Sequence, residues 1–443
     1  METLYEEIND FLGRHIARQG APKPTPKILF YVDDERFRPN PLDPEPGNLT
    51  LVELAGVLTA AGYEIEYRGR ELPLSAEILQ DFAEVWFFLA SMSDSQPLAD
   101  DETAALRAWM DKGGGVLITG DHADLDESGT GGPKGLGRAV GSRVPRARHL
   151  REWGARPGLG DGRNDSIWTP GEERDGKPQR VIVRRPVHPI FSGDEPQYFP
   201  DHPHEGAVRA PDLAREDLSG EELERWREEW LLEGSSVPDP QLIADCVNWR
   251  RGETFPLMAV WDGQVVKAGR IVADTSWHHY VHYNLEEIEG KPSARSIFDV
   301  YLGEAWWLLP RALRVRRIGG AIAEALELPA AVDYRHTPVH ELGRAAVAEL
   351  RRSLSRPAFA ELLGALREGM PSTEEFKRDE FVVRLIGTYI KGLRARLDAG
   401  AGPEGLIGDA EDSLRRIVRE AVEGYAKELK ETALRLEEFA SIY

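Results

Sequence analysis

Short apolar runs rich in β-branched and aromatic residues, alternating with helix-length segments, leave few folds open to a chain. KILFYV at Lys27 to Val32, EVWFFLA at Glu84 to Ala90, GGVLITG at Gly114 to Gly120 and, much later, Gly269 to Asp274 each read as a buried strand. YEIEYRG, just after Gly62, reads as another. Between them lies NLTLVELAGVLTAAG, with apolar residues at helical spacing, Asn48 or Thr50 to cap it and Gly62 to stop it; DDETAALRAWMDKG repeats the pattern. Parallel strands need crossovers of this length. The expected fold class is therefore α/β, a doubly wound, mostly parallel sheet with helices on both faces.

The length of 443 residues exceeds one ordinary core. APKPTP reads as a linker, which sets apart an N-terminal helix and linker at 1–26 from an α/β domain at 27–309. Within that domain the pattern weakens at about 128–257, where Gly- and Pro-rich stretches predict a long insertion made mainly of loops, with RVIVRR as a strand and LSGEELERWREEWLL as a helix. PLMAVWDGQVVKAGRIVADTS then reads as a β-hairpin turning at Asp262-Gly263 into the last core strand. Residues 310–443 repeat apolar residues at three- and four-residue spacing, which predicts an α-helical C-terminal domain, or a clamp over the first.

A net charge of −21 opposes a general affinity for nucleic acid or anionic membrane, although Arg138 to Arg151 carries five arginines. The single cysteine, Cys246, excludes an intramolecular disulfide and a cysteine-only metal cage. No stretch reaches the roughly 20 apolar residues of a membrane span, and the N-terminus lacks a signal-peptide pattern. A cytoplasmic protein with a small-molecule ligand is expected, with the C-terminal helices open to a homo-oligomer or protein partner.

Ligands of open α/β sheets collect beyond the carboxyl ends of the strands. Those ends here read VDDER, LASMSDS, TGDHADLD and ADTSWHHYVH. Eight of the 11 histidines fall between His122 and His282. GGGVLITGDHADLD has the layout of a strand-to-elbow turn that delivers one side chain, Asp121 or His122, into a cleft. His202 and His204 stand on a proline-stiffened loop, and His278 and His279 follow the last strand. His122, His202, His204, His278 and His279 could hold one divalent metal ion, zinc, iron or manganese, with Asp121 beside them. A metal-free acid/base pair at the same place is the equal alternative, with His122 or His278 as general base and Asp121 orienting it. Asp33, Asp124, Trp277 and His282 are candidate substrate-binding residues. The spacing HHxxH is not the helical zinc motif HExxH, and isolated loop histidines commonly just bond the backbone.

The order AEVWFFLASMSDSQPLADDETAALRAWMDKGGGVLITGDHADLD resembles the middle of class I glutamine amidotransferase-like domains, in particular the ThuA-like branch of that flavodoxin-like fold. The GGG-apolar stretch leading to His122, Val187-His188-Pro189-Ile190 and AGRIVADTSWHH are each similar to motifs of that branch. The resemblance spans roughly Lys27 to Leu285 and implies a flavodoxin-like sheet and a substrate related to carbohydrate. It also implies a cysteine at the elbow for glutamine hydrolysis, and this chain has Asp121-His122 there. A cysteine-dependent glutaminase is thus not expected. Two readings stand: a hydrolase for a small polar metabolite, or a catalytically degenerate amidotransferase-like binding or assembly module.

Overall fold

The computed structural model describes residues 25–33, 49–90, 96–120, 140–151, 179–191, 197–200, 208–232, 237–248, 253–286, 288, 290–326, 336–367, 379–399 and 410–442, with Leu4, Glu7, Ile8, Phe11 and Leu12 before them. The chain divides into two compact units, Thr25–Arg311 and a second formed by Met1–Pro24 with Ala312–Tyr443.

In the first unit, nine strands among the described residues form one sheet in the order β2-β1-β3-β4-β9-β8-β7-β5-β6. Strands β1 (Lys27–Val32), β2 (Glu64–Gly69), β3 (Glu84–Phe88), β4 (Gly115–Ile118) and β9 (Ile271–Asp274) pair in parallel. The crossovers carry helices α1 (Val52–Ala60) and α2 (Asp100–Met110). The chain leaves β1 on one side to make β2 and returns on the other as β3, so the strand order reverses between β1 and β3.

The other half of the sheet is antiparallel: β5 (Gln179–Val183), β6 (Gln197–Phe199), β7 (Gln241–Asn248) and β8 (Glu253–Trp261). The sheet is therefore mixed rather than mostly parallel, and the stretch expected to be mainly loops supplies three strands besides helix α3 (Gly220–Trp230). Strand β7 is hard to see in sequence because Asp245 interrupts its apolar run. In the structure that carboxylate accepts a two-pronged bond from Arg184, at 2.7 Å to each oxygen. Strands β8 and β9 do pair antiparallel, but Asp262-Gly263 makes no tight turn. The Asp262 side chain accepts the Gln264 N–H at 3.1 Å and starts a 3₁₀ turn, Gly263–Val266.

Side chains alternate across the sheet. Leu29, Tyr31, Val85, Phe87, Val116, Ile118, Ile271 and Ala273 belong to a core that includes Leu106 and Met110 of α2. Their neighbours in sequence, Glu84, Trp86, Phe88, Val272 and Asp274, emerge on the opposite face, where α4 (Pro292–Leu308) lies against β4 and β9. The second unit contains α5 (Arg311–Leu326, from Ala312 on), α6 (Val339–Ser353), α7 (Arg356–Leu366), α8 (Asp379–Asp398) and α9 (Ala410–Ile442). Its buried stripe includes Ile318, Ile322, Leu342, Leu350, Leu385 and Tyr389. No helix among the described residues is long and apolar enough to cross a membrane.

Candidate functional site

Strand β9 ends in a polar residue with no exposure, Asp274. Its last apolar neighbours hold it in register: Ala273 pairs with Ile118 of β4 on one side and Ala259 of β8 on the other. A buried carboxylate needs donors, and Asp274 has several. Its Oδ1 accepts the Ser276 N–H at 2.9 Å and lies 2.8 Å from Nδ1 of His279. The Thr275 hydroxyl is 3.4 Å from the same oxygen, and the Tyr280 hydroxyl is 3.1 Å from Oδ2. Arg151, also fully buried, donates to the Asp274 carbonyl at 2.8 Å.

The sequence TSWHHY builds this locally. Ser276 caps a 3₁₀ turn, Trp277–His279, by accepting the His278 N–H. That single turn brings the ring of His279 back over Asp274, five residues earlier. With the carboxylate at Nδ1, the hydrogen belongs on Nδ1 and the lone pair on Nε2. Nε2 is buried and has no hydrogen-bond partner among the described residues. The ring is clamped by Phe199 of β6, stacked at 4.4 Å and 26°, and the Tyr301 hydroxyl donates to the His279 carbonyl. A base thus held in one tautomer, with an unpartnered acceptor among the described residues, has the chemistry to take a proton from water or a hydroxyl, or to ligate a metal through Nε2.

Behind the pair, Tyr280 packs edge-on to Trp86 and Phe88 and lies 5.4 Å from the ring of Tyr301. Its hydroxyl also lies 2.9 Å from Oε1 of Glu304 on α4. Burial pushes the Tyr280 and Tyr301 hydroxyls well above the usual phenol range, and nearby carboxylates add to it. Burial likewise lifts the Glu304 carboxyl well above the ordinary carboxylate range; the neighbouring Asp274 and Glu84 add to this and the Tyr280 hydrogen bond opposes it.

The residues expected from sequence fall in several places. His278 is half-buried in the same turn as His279, with its ring 3.9 Å from that of Trp277, and it takes no part in the bond to Asp274. Trp277 is buried and packs in the turn instead of offering an open face. His282 clamps the start of α1: its N–H donates to the Thr50 carbonyl at 2.9 Å, and its Nδ1 accepts the Thr50 N–H at 3.0 Å. Asp33 sits where the strand order reverses and accepts the Ala90 N–H at 2.8 Å, tying the ends of β1 and β3. Asp121, His122, Asp124, His202 and His204 lie outside the described residues. Among the described residues, no three histidine, cysteine or acidic side chains form a group that could hold a metal ion.

Sequence reasoning passed over Asp274, Tyr280 and Glu304. Each carried a signal: a polar end to the apolar strand IVAD, a tyrosine beside paired histidines, and one acid in the apolar helix VYLGEAWWLL. Each described arginine of the basic stretch is bonded within the protein, Arg146 and Arg151 buried and Arg143 to an exposed aspartate. Arg146 and Arg148 bond Glu229, Arg143 bonds Asp100, and Arg151 reaches Asp274. His188, of the VHPI motif, packs edge-on to Trp307 at 4.3 Å. Cys246 is buried, and burial raises its thiol far out of the thiolate range.

No family model matches the chain, and no curated protein matches it. Solved structures of similar outline include a cytoplasmic protein from Salmonella typhimurium, 13% identical, covering 64% of this chain and 99% of that one at a TM-score of 0.35. A protein described as ThuA-like from Bacteroides uniformis is 12% identical, with 67% and 99% covered and a TM-score of 0.33. An exo-β-1,4-mannosidase from an Opitutaceae bacterium is 14% identical, with 65% and 36% covered and a TM-score of 0.30. At TM-scores of this size, the case for a site rests on the chain's own residues.

Proposed function

We propose that the chain is a hydrolase for a small polar metabolite, working by general acid/base chemistry at the carboxyl end of β9. The observation that carries this reading is the buried Asp274–His279 pair, whose Nε2 has no partner among the described residues. In the proposed reaction Nε2 takes a proton from water as the water oxygen bonds the electrophilic carbon of the substrate. The imidazolium that forms is balanced by Asp274, and the proton then passes to the leaving oxygen or nitrogen as its bond to carbon breaks. His279 thereby takes the role that the sequence alone offered to His122 or His278. Asp121, His122, Asp124, His202 and His204 remain proposed contributors from the segments after β4 and β6. A carbohydrate derivative is the first substrate class to try, on the strength of the ThuA-like motifs; the β2-β1-β3-β4-β9 order is the one a flavodoxin-like parallel half would have.

The test is turnover of a panel of glycosides, sugar esters and sugar lactones by wild type, His279→Gln and His278→Gln, with folding checked by circular dichroism. Loss of about 100- to 10,000-fold in His279→Gln, with His278→Gln much less affected, is expected. Turnover indifferent to His279→Gln would sink the proposal. Absence of any turnover would favour the second reading, a binding or assembly module using the C-terminal helices, which the buried and inert Cys246 supports. A carboxylate on Nδ1 is also the usual support of a metal-ligating histidine. Metal analysis of wild type and His279→Gln decides between base and ligand: near-stoichiometric zinc, iron or manganese lost in the variant would make Nε2 a ligand.

A further inference from the structure

Two carboxyl groups, Asp274 and Glu304, share one phenol. The Tyr280 hydroxyl lies 3.1 Å from Asp274 Oδ2 and 2.9 Å from Glu304 Oε1, and it owns a single hydrogen. If both carboxyls were ionised, one of these contacts would set lone pair against lone pair inside the protein. A second hydrogen must therefore lie on one of the acids. The surroundings decide which. Asp274 is supplied with donors from Ser276, Thr275 and His279, as an anion requires. Among the described residues, Glu304 meets only the Tyr280 hydroxyl through Oε1, and its Oε2 is buried with no hydrogen-bond partner. The other described groups that act on it, Asp274, Glu84 and Tyr301, are negative or polar, and none is a cation.

We propose that Glu304 is a positioning residue of the His279 site, kept as a neutral acid so that Tyr280 gives its hydrogen to Asp274 and Asp274 stays anionic for His279. The hydrogen-bond direction then runs from Glu304 to Tyr280 to Asp274, with His279 Nδ1–H donating from the other side. Were Glu304 ionised, it would compete at the shorter distance for the only hydrogen of Tyr280, and Asp274 would lose a donor. The proposal rests on the reading of His279 as the working group of the site, but its test needs no substrate.

The first measurement is infrared spectroscopy of the full chain at neutral pH, wild type against Glu304→Gln. The carbonyl stretch of a buried protonated carboxyl is expected in wild type and absent from the variant. The second is proton and nitrogen NMR of the His279 Nδ1–H, whose downfield signal reports the bond to Asp274. Glutamine offers a neutral N–H donor in place of the carboxyl O–H, so Glu304→Gln is expected to keep that signal. Glu304→Ala is expected to broaden it, with hydrogen exchange faster by at least about threefold as Tyr280 is freed. A wild-type spectrum with no protonated-carboxyl band lost in Glu304→Gln would overturn the proposal, and so would a Glu304→Gln variant as disturbed at His279 as Glu304→Ala. If Glu304→Ala does not fold, the infrared pair and the Glu304→Gln signal still decide. A confirmed protonated Glu304 together with turnover indifferent to His279 would retain this arrangement and remove the hydrolase reading.

Discussion

At the scale of single residues, what distinguishes the site is a carboxylate, Asp274, buried among donors from Ser276, Thr275, His279 and Tyr280. Asp274→Asn tests the pairing directly. The amide keeps the shape but supplies N–H toward Nδ1 or Tyr280 where an acceptor is needed, so it is expected to favour the wrong imidazole tautomer. The His279 Nδ1–H signal should disappear and any turnover should drop about 100-fold or more; a signal that survives would mean the tautomer has another source. His188 makes the opposite case, a histidine that is structural. Burial, with Arg270 nearby, holds it down to about 3 from 6.5. Between those values the unfolded chain binds a proton that the folded chain refuses, so stability is full above about pH 6.5 and falls as pH drops toward 3. From pH 7 to pH 5 this group alone accounts for roughly 2 kcal/mol, and His188→Phe should remove that share of the pH dependence in urea unfolding followed by tryptophan fluorescence. An unchanged slope would contradict the burial of a neutral ring. Both cases show why residue roles were only partly legible in sequence. Histidine clustering pointed to the right turn, but which ring meets a carboxylate depends on a 3₁₀ turn capped by Ser276, and spacing alone does not encode that.

At the scale of elements, the parallel strands were legible because buried strands of that kind are continuous apolar runs bounded by helices. The antiparallel half was legible only in part: RVIVRR and the hairpin arm before β9 read as strands, but β7 did not, because Asp245 interrupts its apolar run and meets its partner, Arg184 just past β5, only once the strands pair. Helix α4 places Glu304 through a feature equally silent in sequence. A Cβ on Gly303 would lie 2.2 Å from the Ile190 carbonyl oxygen, so this helix reaches its seat only because the residue before Glu304 has no side chain. Gly303→Ala is expected to lower stability by about 1–3 kcal/mol, since backbone cannot move aside cheaply. Gly56→Ala, in α1 of the same unit with nothing within 4 Å, should be neutral or gain about 0.5–1 kcal/mol. Thermal denaturation of the two variants checks both, and equal behaviour would refute the close approach. The loss in Gly303→Ala should extend to the His279 Nδ1–H signal, because Tyr280 is held from the α4 side.

At the scale of the whole molecule, the chain's ends belong together. Met1–Pro24 groups with Ala312–Tyr443, although nearly three hundred residues separate them. The contact is apolar: Ile8 and Leu12 are buried, and the Phe11 ring sits where a side chain on Gly319 of α5 would go. Deleting the C-terminal helices alone should therefore strand an apolar N-terminal face, whereas removing both pieces should leave a unit with its own core. All 11 tryptophans fall between Trp86 and Trp307, so their emission reports on the sheet-bearing unit alone. A chain shortened to 25–311 is expected to keep the emission maximum of the full chain and the free energy of its urea unfolding to within about 1 kcal/mol. A chain shortened to 1–311 is expected to associate, as judged by light scattering, because Ile8, Phe11 and Leu12 lose their cover. Substituting Ile8 and Leu12 by serine should then restore monodispersity to 1–311. Emission shifted to that of the unfolded chain in 25–311 would show that the sheet-bearing unit depends on the helices for its fold. The Asp274–His279 pair would then have to be studied only in the intact chain.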